Sequence, residues 1–246
     1  MDLTIITAVF NREDTVGHAL ASLSSQSYPH VEHVVVDGAS TDNTLEVVRA
    51  HAVRRVSIVS EPDRGIYDAL NKGLARMTGD VVGLLHSDDM FADADVLARV
   101  AQAFSSEDVL AVYGDLHYVS REDPNRVVRH WRSGEFHPDR LRYGWMPPHP
   151  ALFLRRSVIE RLGGYDTSFR IGGDYDAILR YFSSDGFRAA YIPEVLVKMR
   201  VGGESNRSLG RIMRKSREDY TAIRRNGVGG VHTLALKNLR KIGQFL

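Results

Sequence analysis

No cysteine occurs among the 246 residues, so disulfides, zinc–thiolate sites and a thiol nucleophile are excluded. No run of 18 apolar residues occurs either. The N-terminus passes from Met1-Asp2 straight into a strand-like stretch, without a basic segment and apolar core. The expectation is therefore a chain with no signal peptide and no membrane span, placed in the cytoplasm. Charge of one sign is also lacking: 32 Lys and Arg against 31 Asp and Glu leave a net of +1. That balance hides a division. From Arg207 to Leu246 there are ten basic and two acidic residues, a local net of +8, which leaves −7 on the rest. A basic tail on an acidic body could meet nucleic acid, anionic lipid or an acidic partner; nucleic acid is not among the partners expected here.

Two phosphate-binding signatures are missing as well. No GxGxxG follows the first strand, where Thr7-Ala-Val-Phe-Asn11 stands, and no GxxxxGK[ST] occurs anywhere. A nucleotide held by this chain must be gripped by side chains.

What is present is a core-forming composition, 43% apolar, and an alternation of elements. Leu3 to Val9 reads as a strand and Asn11-Arg-Glu-Asp14 opens a helix with Val16, Leu20 and Leu23 on one face. Val34-Val-Val36 is a second strand, followed by the turn Gly38-Ala-Ser-Thr-Asp42 and a helix over Thr44–Ala50. Val56 to Val59 is a third strand and Ile66 to Met77 a helix. The unbroken apolar run Val81 to Leu85 is the fourth strand, of the kind buried in the middle of a sheet. Strands alternating with helices through short links give a doubly wound, mostly parallel α/β sheet.

Ligands bind at the carboxyl ends of such strands. Asn11, Asp37, Asp63 and the pair Asp88/Asp89 each lie just past one strand, so all project onto one rim. Each also has a plain reading: Asp37 before Gly38 and Asp63 after Pro62 suit turns, Asn11 can bond its own loop, and Asp88 or Asp89 can cap a helix starting near Asp93. Taken together, the order along the rim favours a site. Two adjacent carboxylates repel unless a cation or a donor-rich ligand joins them, and a divalent ion shared with phosphates fits that need. Phe10 could stack on a base, and Asp37 could accept from a base N–H or a hydroxyl.

Beyond Asp89, Ala94 to Phe104 reads as a helix, Val109–Tyr113 as a strand and Leu116–Trp131 as a hairpin, so parallel order ends here. Tyr143 to Pro150 is aromatic and proline-rich, a cleft wall leading into a strand over Ala151–Leu154. His149 within it could be a ligand or donor in the site, or a satisfied loop residue. Gly172-Gly-Asp-Tyr-Asp176 starts a helix with Tyr175, Ile178, Leu179 and Phe182 inward. Asp174 and Asp176 lie about 200° apart on that helix, so at most one faces a common cleft. Asp174 at the start is better placed, either as an N-cap or as a general base kept ionised by the helix dipole.

These motifs, TIITAVFNRED, VVVDGASTDNT, SEPDRGIYDALNKGLARMTGD, the HSDD turn, and GGYD followed by GDYD, resemble the family 2 inverting glycosyltransferases of the GT-A fold. The likeness spans about Leu3 to Ser205. It implies a nucleotide-sugar donor, usually UDP-linked, and a divalent cation, Mn²⁺ or Mg²⁺. By position, Asp37 resembles the residue that accepts from uracil, Phe10 packs the base, and Asn11, Asp63, Asn71 and Lys72 fall in the donor-facing segment. Asp89 would hold the metal and Asp88 the ribose or donor sugar. Asp174 matches the base, although Gly173 stands where the family has a glutamate. His149, Arg200 and Arg207 are candidates for acceptor or diphosphate contacts. The division implied is a glycosyltransferase domain over 1–206, with a nucleotide-binding half to about 110 and an acceptor-side half beyond it, then a basic helical extension over 207–246.

The extension reads as two helices, Leu209–Arg225 and Val231–Leu246, parted by Asn226-Gly-Val-Gly-Gly230. In the second, Ala235, Leu239, Ile242 and Leu246 fall together with Lys237, Arg240 and Lys241 opposite. Such a helix can lie on an anionic membrane, making the protein peripheral on its inner face, or pack on the body or a partner subunit. The Q-x-x-R-W motif and membrane helices of the family's processive synthases are missing, which points to transfer of one sugar, to a glycan or lipid-linked hydroxyl, in surface polysaccharide or glycolipid synthesis. Two other classes fit a rim of aspartates: a phosphotransferase or phosphoacceptor domain, and a non-catalytic nucleotide-sugar-binding module.

Overall fold

A computed structural model describes residues 1–51, 55–202 and 209–240. Its first half follows the alternation read above: β1 (Leu3–Val9), α1 (Glu13–Ser24), β2 (Val31–Asp37), α2 (Thr44–Ala50), β3 (Val56–Ser60), α3 (Ile66–Leu74) and β4 (Val81–Leu84). All seven β1 residues are buried, as a strand covered on both faces must be. Val16, Ala19, Leu20 and Leu23 form the buried stripe of α1. These four strands are parallel, in the order β3-β2-β1-β4. Their registers pair Val9 with Asp37, Asp37 with Ser60, and Ile6 with Leu84. The carboxyl ends therefore share one edge.

The sheet then becomes mixed. The remaining elements are β5 (Asp89–Phe91), α4 (Val96–Ala103), β6 (Ala111–Val119), β7 (Val127–Trp131), β8 (Leu152–Arg155), α5 (Arg156–Leu162), α6 (Gly173–Phe182), β9 (Ala189–Arg200), α7 (Leu209–Arg225) and α8 (Val231–Leu239). β8 lies antiparallel between β4 and β6, β9 runs parallel to β6, and β5 pairs antiparallel with β9. Gly83 permits the junction. A Cβ there would sit 2.4 Å from the Phe153 ring of β8, so only glycine lets that aromatic ring cross the strand.

Two strands escape the sequence reading. β9 is the longest in the sheet, but its sequence lacks clean alternation and contains Pro193. The ladder accommodates the proline by skipping it: pairing passes from Gly114–Ile192 to Asp115–Val195, leaving Pro193 and Glu194 in a bulge. β5 is three residues long and begins at Asp89, which a sequence reading assigns to a turn. Asp89 is thereby locked opposite Met199 of β9, rather than free to cap the following helix.

The extension folds onto the body, but not by the face expected. Lys237, assigned to the solvent side, is 6% exposed; its Nζ lies 2.6 Å from Asp219 Oδ2 of α7 and 3.4 Å from the centre of the Tyr175 ring. Thr233, one turn earlier, is also buried and donates to the Arg142 carbonyl. Electrostatic and cation–π attraction at one lysine outweighs the apolar stripe. Leu239 of that stripe is 58% exposed, with Ala235 and Val231 exposed beside it. Ile242, Leu246 and Lys241 lie outside the described residues.

A buried histidine sets one pH dependence. His33 of β2 is enclosed beneath the sheet, its Nε2 3.0 Å from Thr7 Oγ1, and burial pushes its pKa down to about 4. The unfolded chain takes up this proton as pH falls through about 6.5, whereas the folded chain does so only near 4. Stability is thus full above 6.5 and lost progressively as pH falls between those values. Urea titration should show His33 contributing about 1 kcal/mol of destabilisation between pH 6 and pH 5. His33→Gln should remove that increment; an unchanged pH slope in the variant would overturn the assignment.

Candidate active site

Three loops converge at the carboxyl edge of β1, β2 and β3. Asp37, the last residue of β2, is completely buried, and its oxygens accept from Ser40 N at 3.0 Å, Ser40 Oγ at 2.5 Å and Ser60 Oγ at 2.6 Å. In this arrangement it fixes the loop and offers no exposed oxygen to a base. Asn11 Oδ1 accepts from Thr41 N, and the Asn11 N–H donates to Ser40 Oγ, tying the β1 loop to the β2 loop. Asn11 and Ala39 are the two positive-φ non-glycine residues among those described, at +49° and +62°. Backbone strain is therefore confined to this rim. Gly38 sits against Phe10 and Asp63: a Cβ on it would come within 2.5 Å of Asp63 Oδ2 and 3.4 Å of Phe10 Cβ. Phe10 itself is 53% exposed, an open aromatic face above the convergence.

Asn71 and Lys72 serve loops. Asn71 donates to the Tyr165 carbonyl at 2.7 Å and accepts from Tyr165 N at 2.8 Å, which clamps the Gly163–Asp166 turn to α3. Lys72 donates to the Pro62 carbonyl at 2.7 Å and pairs with Glu61 at 3.1 Å, bracing the turn that carries Asp63. Both polar heads are engaged by the chain itself.

The other wall is built differently. Asp89 is 1% exposed, and both carboxylate oxygens are buried with no hydrogen-bond partner. Burial, reinforced by the charge of Asp88, pushes its pKa well above the carboxylate range, with Arg200 opposing. Arg200 donates to the Asp88 carbonyl at 3.1 Å and so braces the carboxylate turn. Asp174 stands in the first turn of α6, and Tyr67 Oη lies 3.3 Å from its Oδ1. Asp176 turns the other way, into the core, where Asn226 donates to it at 3.0 Å. The two side chains thus take different directions on the helix, as a separation of about 200° requires.

His86 and His149 face each other with ring centres 5.9 Å apart, and His149 Nε2 lies 2.9 Å from the Tyr165 hydroxyl. Burial lowers the pKa of both, that of His149 to about 4, while the charge of Asp174 acts on each in the opposite sense. Tyr118 of β6 closes the group. Burial raises its pKa, the nearby Arg129 guanidinium opposes this, and the charges of both Asp89 and Asp174 add to the rise. Both carboxylates therefore lie within electrostatic reach of Tyr118. His86 belongs to the HSDD motif, and Tyr67 and Tyr165 stand in the RGIYD and GGYD motifs, whereas nothing in the sequence around Tyr118 marks it. Arg207 lies outside the described residues.

No group of three or more His, Asp or Glu side chains able to hold a metal occurs among the described residues. The donor set still suits a divalent ion of the phosphate-bridging kind. Such ions take one or two carboxylates and complete their shell with phosphate oxygens and water. The two Asp89 oxygens, which make no hydrogen bond, would supply that carboxylate.

Residues 4–163 match the profile of glycosyl transferase family 2. The chain belongs to that family. A PGL/p-HBAD biosynthesis glycosyltransferase of Mycobacterium tuberculosis is 34% identical over 209 residues, 82% of this chain and 78% of that one. An uncharacterized glycosyltransferase of the same species is 33% identical over 186 residues, 72% and 68% of the two chains. Among solved structures, the mannosyltransferase PcManGT of Pyrobaculum calidifontis, in complex with GDP-Man and Mn²⁺, superposes with a TM-score of 0.69 at 23% identity, covering 99% of this chain and 71% of that one. Residues 1–349 of TarS from S. aureus, in complex with UDP-GlcNAc, give 0.70 at 17% identity, covering 100% and 71%. These superpositions establish the GT-A fold for this glycosyltransferase.

An unpaired buried carboxylate weakens the fold that holds it. Without divalent ions, Asp89→Asn of this glycosyltransferase should be more stable than the parent by about 1–2 kcal/mol in urea unfolding. A destabilised variant would show that the carboxylate is already compensated within the chain.

Proposed function

We propose that this glycosyltransferase moves a single sugar from a nucleotide donor, a UDP-sugar first among them, to a hydroxyl of a glycan or lipid-linked acceptor, with inversion. The observation that carries the reading is a pair of carboxylates that both act on Tyr118: Asp89, buried and without a hydrogen bond, and Asp174, at a helix start with its charge also felt by His86 and His149. Phe10 offers its open face to the base, in a wall held by Asn11, Asp37 and Asp63. Asp88 is assigned to the ribose or donor sugar, and His149 and Arg200 to acceptor and diphosphate contacts. Asp89 would hold Mn²⁺ or Mg²⁺, which when bound neutralises charge on a diphosphate leaving group. Asp174 takes the proton from the acceptor hydroxyl as its oxygen attacks the anomeric carbon. One base and no enzyme nucleophile give inversion, in contrast to the covalent route of retaining glycosidases. Synthesis of surface polysaccharide or glycolipid is supported by the M. tuberculosis relative, whose name refers to PGL/p-HBAD biosynthesis. The family match removes the phosphotransferase alternative.

The extension supplies the membrane contact in this reading. No helix among the described residues is long and apolar enough to cross a membrane. The exposed Val231–Ala235–Leu239 stripe, on an extension of net charge +8, suits attachment to an anionic lipid surface. Co-sedimentation should find the protein on vesicles containing phosphatidylglycerol and not on neutral ones, with Leu239→Glu reducing the bound fraction severalfold. Equal recovery from both vesicle types would remove this contact.

The activity is tested by UDP release from a panel of UDP-sugars with Mn²⁺. Asp89→Ala should lose metal-dependent nucleotide binding, and Asp174→Asn should keep binding but lose at least about 100-fold in transfer. Normal transfer by Asp174→Asn would end the base assignment. Binding without turnover by the parent would leave a non-catalytic sugar-nucleotide module.

A further inference from the structure

Asp174 needs a fixed geometry, yet its own neighbourhood in sequence supplies little. Gly172 and Gly173 precede it, no side chain from the Gly172 cap position bonds the start of α6, and Gly173 offers nothing beyond a hydrogen. A Cβ on Gly173 would meet the Tyr67 ring at 2.8 Å, so that ring already fills the space. The Tyr67 hydroxyl donates to the Ile171 carbonyl at 2.6 Å and lies 3.3 Å from Asp174 Oδ1. From the other side, Glu218 of α7 accepts from three consecutive backbone N–H groups. Its Oε2 lies 3.1 Å from Arg170 N, 2.8 Å from Ile171 N and 2.8 Å from Gly172 N. Successive N–H groups converging on one carboxylate form an anion nest, and charge-assisted bonds of this kind are about twice as strong as neutral ones. Gly172 makes the approach feasible, since a Cβ on it would come 3.1 Å from Glu218 Cβ.

We propose that Glu218 and Tyr67 are positioning residues for Asp174: the C-terminal extension caps the catalytic helix from outside and thereby sets the placement of the base. The proposal rests on the assignment of Asp174 made above. Further contacts tie the same parts together. Arg225 pairs with Asp166 at 2.5 Å, Asn226 donates to Asp176, and the buried Asp219–Lys237 pair lies against Tyr175, the residue after Asp174. The extension is therefore part of the reaction centre's scaffold as well as a basic appendage.

The test uses the full chain with Glu218→Gln, Glu218→Asp and Tyr67→Phe, each in the parent and in an Asp174→Asn background. Glu218→Gln should exchange the Arg170, Ile171 and Gly172 amides at least about tenfold faster, and lower kcat at least about tenfold with donor KM within about twofold. Glu218→Asp should recover part of that loss. Tyr67→Phe removes one hydroxyl without disturbing the ring packing and should lower kcat in the same way, which keeps the test open if a Glu218 variant fails to fold. In the Asp174→Asn background neither substitution should reduce the residual rate further, because both act through a base that is no longer there. Unchanged kcat in Glu218→Gln, an equal loss in both backgrounds, or a change in donor KM alone would overturn the positioning role while leaving the transferase intact. A parent chain that transfers no sugar would instead fall on the proposed function and take this role with it.

Discussion

The structure turns on a carboxylate that the chain buries and does not satisfy. Other acidic groups in the same sheet show how a buried carboxylate is normally handled. Glu32 accepts from Thr4 Oγ1, Thr78 N and Thr78 Oγ1 at the opposite edge. Asp115 accepts from Ser133 N and the Tyr191 hydroxyl. Asp37 takes three donors. Asp89, as deeply buried, makes no well-formed hydrogen bond, and only Arg200, through its charge and its backbone N–H, acts in favour of its ionised form. Burying a carboxyl group without hydrogen bonds costs free energy even when it is held in its neutral form, so this residue persists against its own contribution to stability. The pairing of β5 with β9 and the brace from Arg200 to the Asp88 carbonyl hold it where collapse or rotation would otherwise relieve it.

That constraint explains why the far half of the sheet is mixed. A fifth parallel strand after β4 would carry the chain away from the Asp88–Asp89 turn through another crossover. Instead β8 returns antiparallel beside β4, and β6 and β9 extend the sheet so that β9 ends at Arg200, directly behind the turn. The same arrangement sets Tyr118 of β6 within electrostatic reach of both Asp89 and Asp174. The parallel strands thus supply a rim, and the mixed strands bring β9 and Tyr118 of β6 up to it.

Legibility in the sequence tracked how local the determining interaction was. The βα units up to β4, and the α7 span Leu209–Arg225, follow from apolar periodicity and turn residues within a few positions, and the structure has them. The choice of Asp174 over Asp176 needed only helix geometry. β9 was hidden because its pairing skips Pro193, a device visible only when the partner strand is known. The facing of α8 was inverted because amphipathicity weighs Lys237 as a solvated charge, while Asp219 and the Tyr175 ring, 18 and 62 positions away, make burial favourable. Asn71 and Lys72 sit in a motif suggestive of nucleotide contact, yet their side chains answer to Tyr165 and Pro62. Which of two uses a polar side chain takes depends on distant backbone, and a sequence does not print that.

The two walls of the cleft are built on opposite principles. On one wall, Asn11, Asp37, Asp63, Asn71 and Lys72 spend hydrogen bonds on their own or neighbouring loops. On the reaction side, Asp89 makes no well-formed hydrogen bond, and burial holds His86 and His149 toward their neutral forms. Preorganised polar groups act most strongly in a closed, water-poor cleft, where their orientation is set in advance and their charge is not yet met. The positive φ of Asn11 and Ala39 belongs to the first wall and the unpaired oxygens of Asp89 to the second. The buried parallel strands beneath, with Leu3, Ile5 and Ile6 of β1 and Val34, Val35 and Val36 of β2 in their cores, hold that edge in place.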